Sequence, residues 1–266
     1  MIARRRVLGL IGVAGIGLSQ QRRPPNVLLL IADDLNTWTG LHQPGDSASL
    51  TPNLNRWART RAVVFRNAWC ASPLCNPSRT ATLTGRAPWT TGVYDNSHWW
   101  KPAMPDAMTM PRFFRQHGYY VAGTGKVFHH TAGFNPPEQW DEFHPFVFDD
   151  PWDRPAATYP EVPRTAVPDF VPLNGMKPTK HEFDWGSLPK TESAYGDART
   201  IAWAQQFLSQ RDPTAAKPFF LAAGLFRPHL PWYVPPEHFD AIIADACKPA
   251  TQNGDVNDVP QPTKQL

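Results

Sequence analysis

The sequence predicts an α/β layered sheet, and three observations carry that expectation. Apolar runs of strand length recur at Asn26 to Ile31, Tyr119 to Ala122 and Phe219 to Ala223. Stretches with helical periodicity and helical start or stop signals lie between them. The first run ends in Asp33-Asp34, as expected of a buried parallel strand that delivers polar residues to the edge where ligands gather.

Thr51-Pro52 reads as a helix start, with Thr51 as the cap, Pro52 at the first helical position, and Leu54, Trp57 and Ala58 as the apolar stripe. A strand at Ala62 to Phe65 follows. Asn76-Pro77-Ser78 begins a short helix that runs through Arg79 to Thr84 and ends at Gly85, which sets Cys75 at a helix N-terminus. Met110 to His117 reads as a helix closed by Gly118, and Tyr195 to Gln210 as a helix with Ile201, Ala204 and Leu208 on one face. Between Phe134 and Pro189, prolines, tryptophans and acids crowd together without periodicity. That stretch is expected to form ordered, substrate-facing loops rather than sheet.

The 266 residues suit one large domain or two small ones, and 41% hydrophobic against 18% charged residues argues against wholesale disorder. The formal charge is +3, but Arg4, Arg5, Arg6, Arg22 and Arg23 fall in the first 25 residues, which hold no acid. Without those five, 21 basic residues face 23 acidic ones, a balance of −2. No basic excess is left for nucleic acid, so anion specificity must be local. Arg4-Arg5-Arg6 precede the apolar run Val7 to Leu18, which is too short to span a bilayer comfortably and is laid out as an export leader. Residues 1–25 resemble a twin-arginine signal, with a general secretory signal or a loose anchor as alternatives; a periplasmic or extracellular location is expected. Three cysteines, Cys70, Cys75 and Cys247, are too few and odd in number for a disulfide framework, which leaves at least one free for chemistry.

Asp33 and Asp34 at a strand end suit a hard cation such as calcium, although adjacent aspartates also cap helices and solvate loops. The stretch Cys75-Asn76-Pro77-Ser78-Arg79-Thr80-Ala81-Thr82-Leu83-Thr84-Gly85-Arg86 is more specific. It matches the signature of the type I sulfatases, cysteine-x-proline-serine-arginine followed by leucine-threonine-glycine-arginine, and the chain resembles that family from Asn26 to Asp240. Gly125-Lys126-Val127-Phe128-His129 and the run from Phe219 to Arg227-Pro228-His229-Leu230-Pro231 extend the resemblance. With Thr90 to Asp95 and Asn96-Ser97-His98-Trp99, they look most like the iduronate-2-sulfatase branch.

The resemblance implies an alkaline-phosphatase-like α/β sandwich with a mostly parallel central sheet, and hydrolysis of a sulfate ester of a carbohydrate. It implies one calcium ion on Asp33, Asp34 and residue 75, and a formylglycine-generating maturation enzyme that oxidises Cys75, whose hydrated aldehyde is the nucleophile. Arg79 would stabilise the alkoxide, Lys126 and His129 would approach the formylglycine and the sulfate, and His229 the sulfate and leaving oxygen. His98 and His130 have weaker cases. A helix N-terminus at Cys75 agrees, since unpaired N–H groups and the positive dipole end suit a sulfate. The family also uses an Asp-His-Gly or Asp-Asn-Gly segment and another sulfate-binding lysine further downstream, and neither tripeptide occurs here. Residues 26–266 are therefore expected to be the N-terminal portion of a catalytic domain, with the C-terminal part missing. Alone, they are expected to bind calcium poorly and turn over little sulfate. The alternatives are a phosphate or phosphonate hydrolase of the same superfamily and a non-catalytic binder of sulfated glycans.

Overall fold

The computed structural model describes residues 23–36, 51–129, 134–145, 185–187, 191–212, 217–230 and 232–240. Residues 1–22, His130, Cys247 and positions 146–184 of the aromatic stretch lie outside them.

Val27–Ala32 forms strand β1. Helix α1 spans Pro52–Arg61, and α2 spans Cys75–Thr84 and closes on Gly85, whose φ of 68° is a left-handed geometry that glycine takes without strain. Two single turns, α3 (Pro88–Thr91) and α4 (Trp100–Ala103), lead into α5 (Met110–Gln116), whose cap Thr109 accepts the Arg112 N–H. Strands β2 (Tyr120–Gly125), β3 (Glu142–His144) and β4 (Trp185–Ser187) follow. Then come α6 (Gly196–Ser209), β5 (Phe219–Leu225), β6 (Trp232–Val234) and α7 (Pro236–Asp240). Among the described residues no helix is long and apolar enough to cross a membrane.

The main sheet has the order β1-β5-β2-β3 with every pairing parallel, and β4 pairs with β6, also parallel. Alternation along the central strands produces the layers. Val121, Phe220 and Ala222 enter a core shared with Leu83 of α2, Trp100 of α4 and Phe114 of α5. Ala122, Leu221 and Ala223 face the other way, onto Ala204 and Phe207 of α6. Phe220 and Leu221 are fully buried, which stabilises the sheet by about 1.5–3 kcal/mol each. Helices on both faces make an α/β sandwich.

Several local expectations change. β1 is an edge among the described strands, not a strand buried on both faces. Val27, Leu29 and Ile31 pack on the core, while Leu28 and Leu30 are 46% and 59% exposed. Residues 62–65 form no strand, because β propensity needs a neighbour to pair with. Helix α1 buries Asn55 and leaves Leu54 and Trp57 exposed, and Thr51 meets the Asn55 side chain at 3.4 Å instead of capping a backbone N–H. On α6 the buried line is Thr200, Ala204 and Phe207 rather than Ile201, Ala204 and Leu208, since Phe207 packs on Tyr120 and Phe219. β3 and β4 are strands inside the stretch expected to be loops. At three residues each, they are too short to show a period.

Candidate active site

Three neighbouring strands end together at one edge of the sheet. β1 runs into Asp33, β2 into Lys126, and β5 into the turn from Phe226 to His229. A carboxylate, an ammonium and an imidazole are thereby brought to the carboxyl ends of a parallel sheet. The approach of β2 to β5 depends on glycine. A Cβ on Gly125, where φ is +72°, would lie 2.1 Å from the Gly224 carbonyl oxygen, and one on Gly224 would lie 2.0 Å from that of Lys126. Cys75, the first residue of α2, faces the same edge, with its Sγ 3.8 Å from both Asp33 Oδ2 and Lys126 Nζ.

Asp33 joins these groups. Arg79 Nη2 donates to its Oδ1 at 2.7 Å, and Lys126 Nζ donates to its Oδ2. Arg79 Nη1 also donates to the backbone carbonyls of Lys126 and, at 2.9 Å, Val127. All three side chains are buried, so each charge depends on the others for its place. Burial alone would raise the Asp33 carboxyl, but the Arg79 and Lys126 charges outweigh it and hold the group below its ordinary value. Burial pushes the Cys75 thiol up, with Lys126 and Arg79 pulling against it and Asp33 and Asp34 adding to it. Near neutral pH the unmodified sulfur is therefore a protonated, weak nucleophile.

His229 Nδ1 lies 2.5 Å from the Leu230 carbonyl oxygen, and its ring sits 4.5 Å from that of Phe226. Burial and the Lys126 charge lower its pKa, against the Leu230 contact and the charges of Asp34 and Asp33. Asp33, Cys75 and His229 each present a ligand atom within 4.8 Å of the others. Asp34 is outside that trio, exposed, with φ of 54°. The buried ring of His129 stands 5.9 Å from that of Phe134. Asp33, Cys75, Arg79, Lys126 and His229 are thus gathered, Asp34 stands exposed at the border of the same site, close enough for its charge to act on Cys75 and His229, and the His129 ring lies beside Phe134. His98 accepts the Tyr94 N–H through Nδ1 at 3.2 Å. A cleft of about 340 Å³ opens over Cys75, bordered by Asp33, Asp34, Cys70 and Ser78, a volume that suits a small ligand.

The free N–H groups expected at the start of α2 are partly taken. Asn76 N–H donates to Asn96 Oδ1 at 2.9 Å, and Pro77 has none to offer. Sequence reasoning gave no place to two residues that shape the site. Asn76 Nδ2 donates to the carbonyls of Asp95 and His98, both at 2.8 Å, and so docks that loop on α2. Phe226 lies 4.4 Å beneath Lys126 Nζ as well as beside His229. Asn76 fills the variable position of Cys-x-Pro and is legible only as part of a helix start; the signal for Phe226 is its place between an apolar strand and Arg-Pro-His.

A family model described as Sulfatase matches residues 25–245. The chain is similar to a sulfatase of Formosa agariphila, 33% identical over 251 residues, which covers 89% of this chain and 45% of that protein. It is similar to iduronate 2-sulfatase of Homo sapiens, 33% identical over 214 residues, covering 80% of this chain and 36% of the relative. The chain therefore spans less than half the length of these relatives. The solved phosphonate monoester hydrolase of Agrobacterium radiobacter shares the fold, with a TM-score of 0.55 at 19% identity, over 81% of this chain and 44% of that one.

Proposed function

The chain belongs to the sulfatase family, and from that premise we propose that it carries the nucleophile-bearing part of an active site that hydrolyses the sulfate ester of a carbohydrate. The observation that carries this reading is the setting of Cys75: at the head of α2, 3.8 Å from both the Asp33 carboxylate and the Lys126 ammonium. Relatives named iduronate 2-sulfatase and N-acetylgalactosamine-6-sulfatase support a sugar sulfate as substrate. The arginine-rich leader supports export to the periplasm or beyond.

A thiol that burial keeps protonated supports Cys75 as a precursor rather than as the working nucleophile. Oxidised to formylglycine by a maturation enzyme, residue 75 would supply one hydroxyl to attack sulfur and a second to expel sulfate. Asp33 and Asp34 suit part of the oxygen shell of one calcium ion, whereas the thiol sulfur is too soft for it; an oxygen on residue 75 fits better. Bound there, the ion would supply positive charge beside the nucleophile. Lys126 holds an anion next to residue 75. Arg79 fixes the Asp33 carboxylate and the backbone at Lys126, and adds its own charge. His229 gives a proton to the leaving oxygen, and an arriving sulfate favours the protonated imidazole that this requires. His129 takes the proton from the hydroxyl that expels sulfate.

The test is turnover of 4-nitrophenyl sulfate by the natural protein, matured to formylglycine and supplied with calcium. Cys75→Ala is expected to abolish turnover, and Cys75→Ser to become sulfated once and stay so, because serine lacks the second hydroxyl. Undiminished turnover by the alanine variant would remove the reading. Preference for 4-nitrophenyl phosphate would move it to phosphate esters.

A further inference from the structure

Asp197 lies in the first turn of α6, on the face of the sheet opposite α2, and belongs to none of the motifs discussed above. Its side chain nevertheless reaches the active-site edge. Oδ1 accepts the Phe226 N–H at 2.7 Å and Oδ2 accepts the Arg227 N–H at 2.9 Å. Both oxygens of one carboxylate are thus spent on two consecutive amides at the point where β5 stops and the turn to His229 begins. The turn closes through the His229 N–H to the Phe226 carbonyl at 3.0 Å. The Phe226 ring, 5% exposed, then lies between the Lys126 ammonium at 4.4 Å and the His229 ring at 4.5 Å.

We propose that Asp197 is a positioning residue for the proposed sulfate ester hydrolysis, fixing through the Phe226 and Arg227 amides the placement of the His229 imidazole and the Lys126 ammonium. The inference rests on the reading of His229 as the group that protonates the leaving oxygen. The physical reason is geometric. Two adjacent N–H groups can be held in one orientation by a bidentate anionic acceptor, and charge-assisted bonds of this kind are short and directional. Without them the turn keeps its closing bond and the bonds that the Arg227 and Trp232 side chains make to the carbonyls of Tyr233, His229 and Pro228. A small displacement of a proton donor costs rate far more than it costs substrate binding.

Two readouts test this in the natural protein, with Asp197→Ala and Asp197→Asn beside wild type. The first is the His229 ring-proton resonance, which the facing Phe226 ring should displace in wild type. Asp197→Ala should lose that displacement and Asp197→Asn, which keeps one acceptor oxygen, should retain part of it. The second compares 4-nitrophenyl sulfate with phenyl sulfate, whose leaving oxygen needs the proton more. Asp197→Ala should lower kcat for phenyl sulfate at least tenfold more than for 4-nitrophenyl sulfate, with KM little changed and Asp197→Asn in between. If the alanine variant does not fold, the asparagine variant carries both comparisons. An unmoved His229 resonance in a folded variant, or equal losses on the two substrates, overturns the proposal. If wild type hydrolyses neither sulfate, the functional reading fails by itself and the resonance still decides whether Asp197 positions His229.

Discussion

Asp33 and Asp34 are neighbours in different surroundings: one is buried between two cations, the other is exposed at the border of the same cleft. Asp33→Asn strands the buried Arg79 and Lys126 charges and should cost about 3–5 kcal/mol of stability at neutral pH. Asp34→Asn should leave stability nearly unchanged, since asparagine tolerates the left-handed backbone at that position. Because the folded Asp33 carboxyl lies below its unfolded value, its contribution is complete above roughly pH 4 and is lost as pH falls through the folded value. Chemical denaturation across pH should show the wild-type advantage over Asp33→Asn shrinking in acid; an advantage that grew in acid would contradict the ion-pair account. The cysteines give a second residue-scale prediction. Exposed Cys70 should react with iodoacetamide first in native, unmatured protein, with buried Cys75 lagging and catching up only as pH rises above the usual thiol range. Peptide mapping reads the order.

At the scale of elements, what was legible in the sequence depended on punctuation. The start of α2 near Cys75 and its end at Gly85 were readable because proline and glycine act locally. The buried side of α1 was not, because Leu54 and Trp57 look like a core stripe until a neighbour decides which face is covered. Residues 62–65 form no strand for the same reason. The glycine pair at the ends of β2 and β5 yields a test. Gly125→Ala should destabilise the protein, because both its positive φ and the Gly224 carbonyl oppose a Cβ. A thermal midpoint unchanged from wild type would show that the two strands have room to part. Asn76→Ala removes two hydrogen bonds that dock the 95–98 loop and should cost about 1–3 kcal/mol. Amide exchange should rise in that loop before it rises in β5.

For the whole molecule, the layered α/β class followed from apolar runs alternating with helical periods, but the strand order did not. β5, which begins at residue 219, inserts between strands from residues 27 and 120, and that insertion is what brings Asp33, Lys126 and His229 together. Single-sequence periodicity carries no information about such pairing; only the sulfatase-like motifs anticipated which residues would meet. The exposure of Asp34 and the packing of His129 beside Phe134 were equally beyond it, since both depend on side-chain direction in the chain that follows a strand. Everything proposed for this site turns on the conversion of Cys75 to the group that does the chemistry. Its most direct measurement is the mass and aldehyde reactivity of the residue-75 peptide from natural protein that is active on 4-nitrophenyl sulfate. Formylglycine at residue 75 is expected in proportion to activity, and an active preparation in which Cys75 is entirely an unmodified thiol would contradict that conversion.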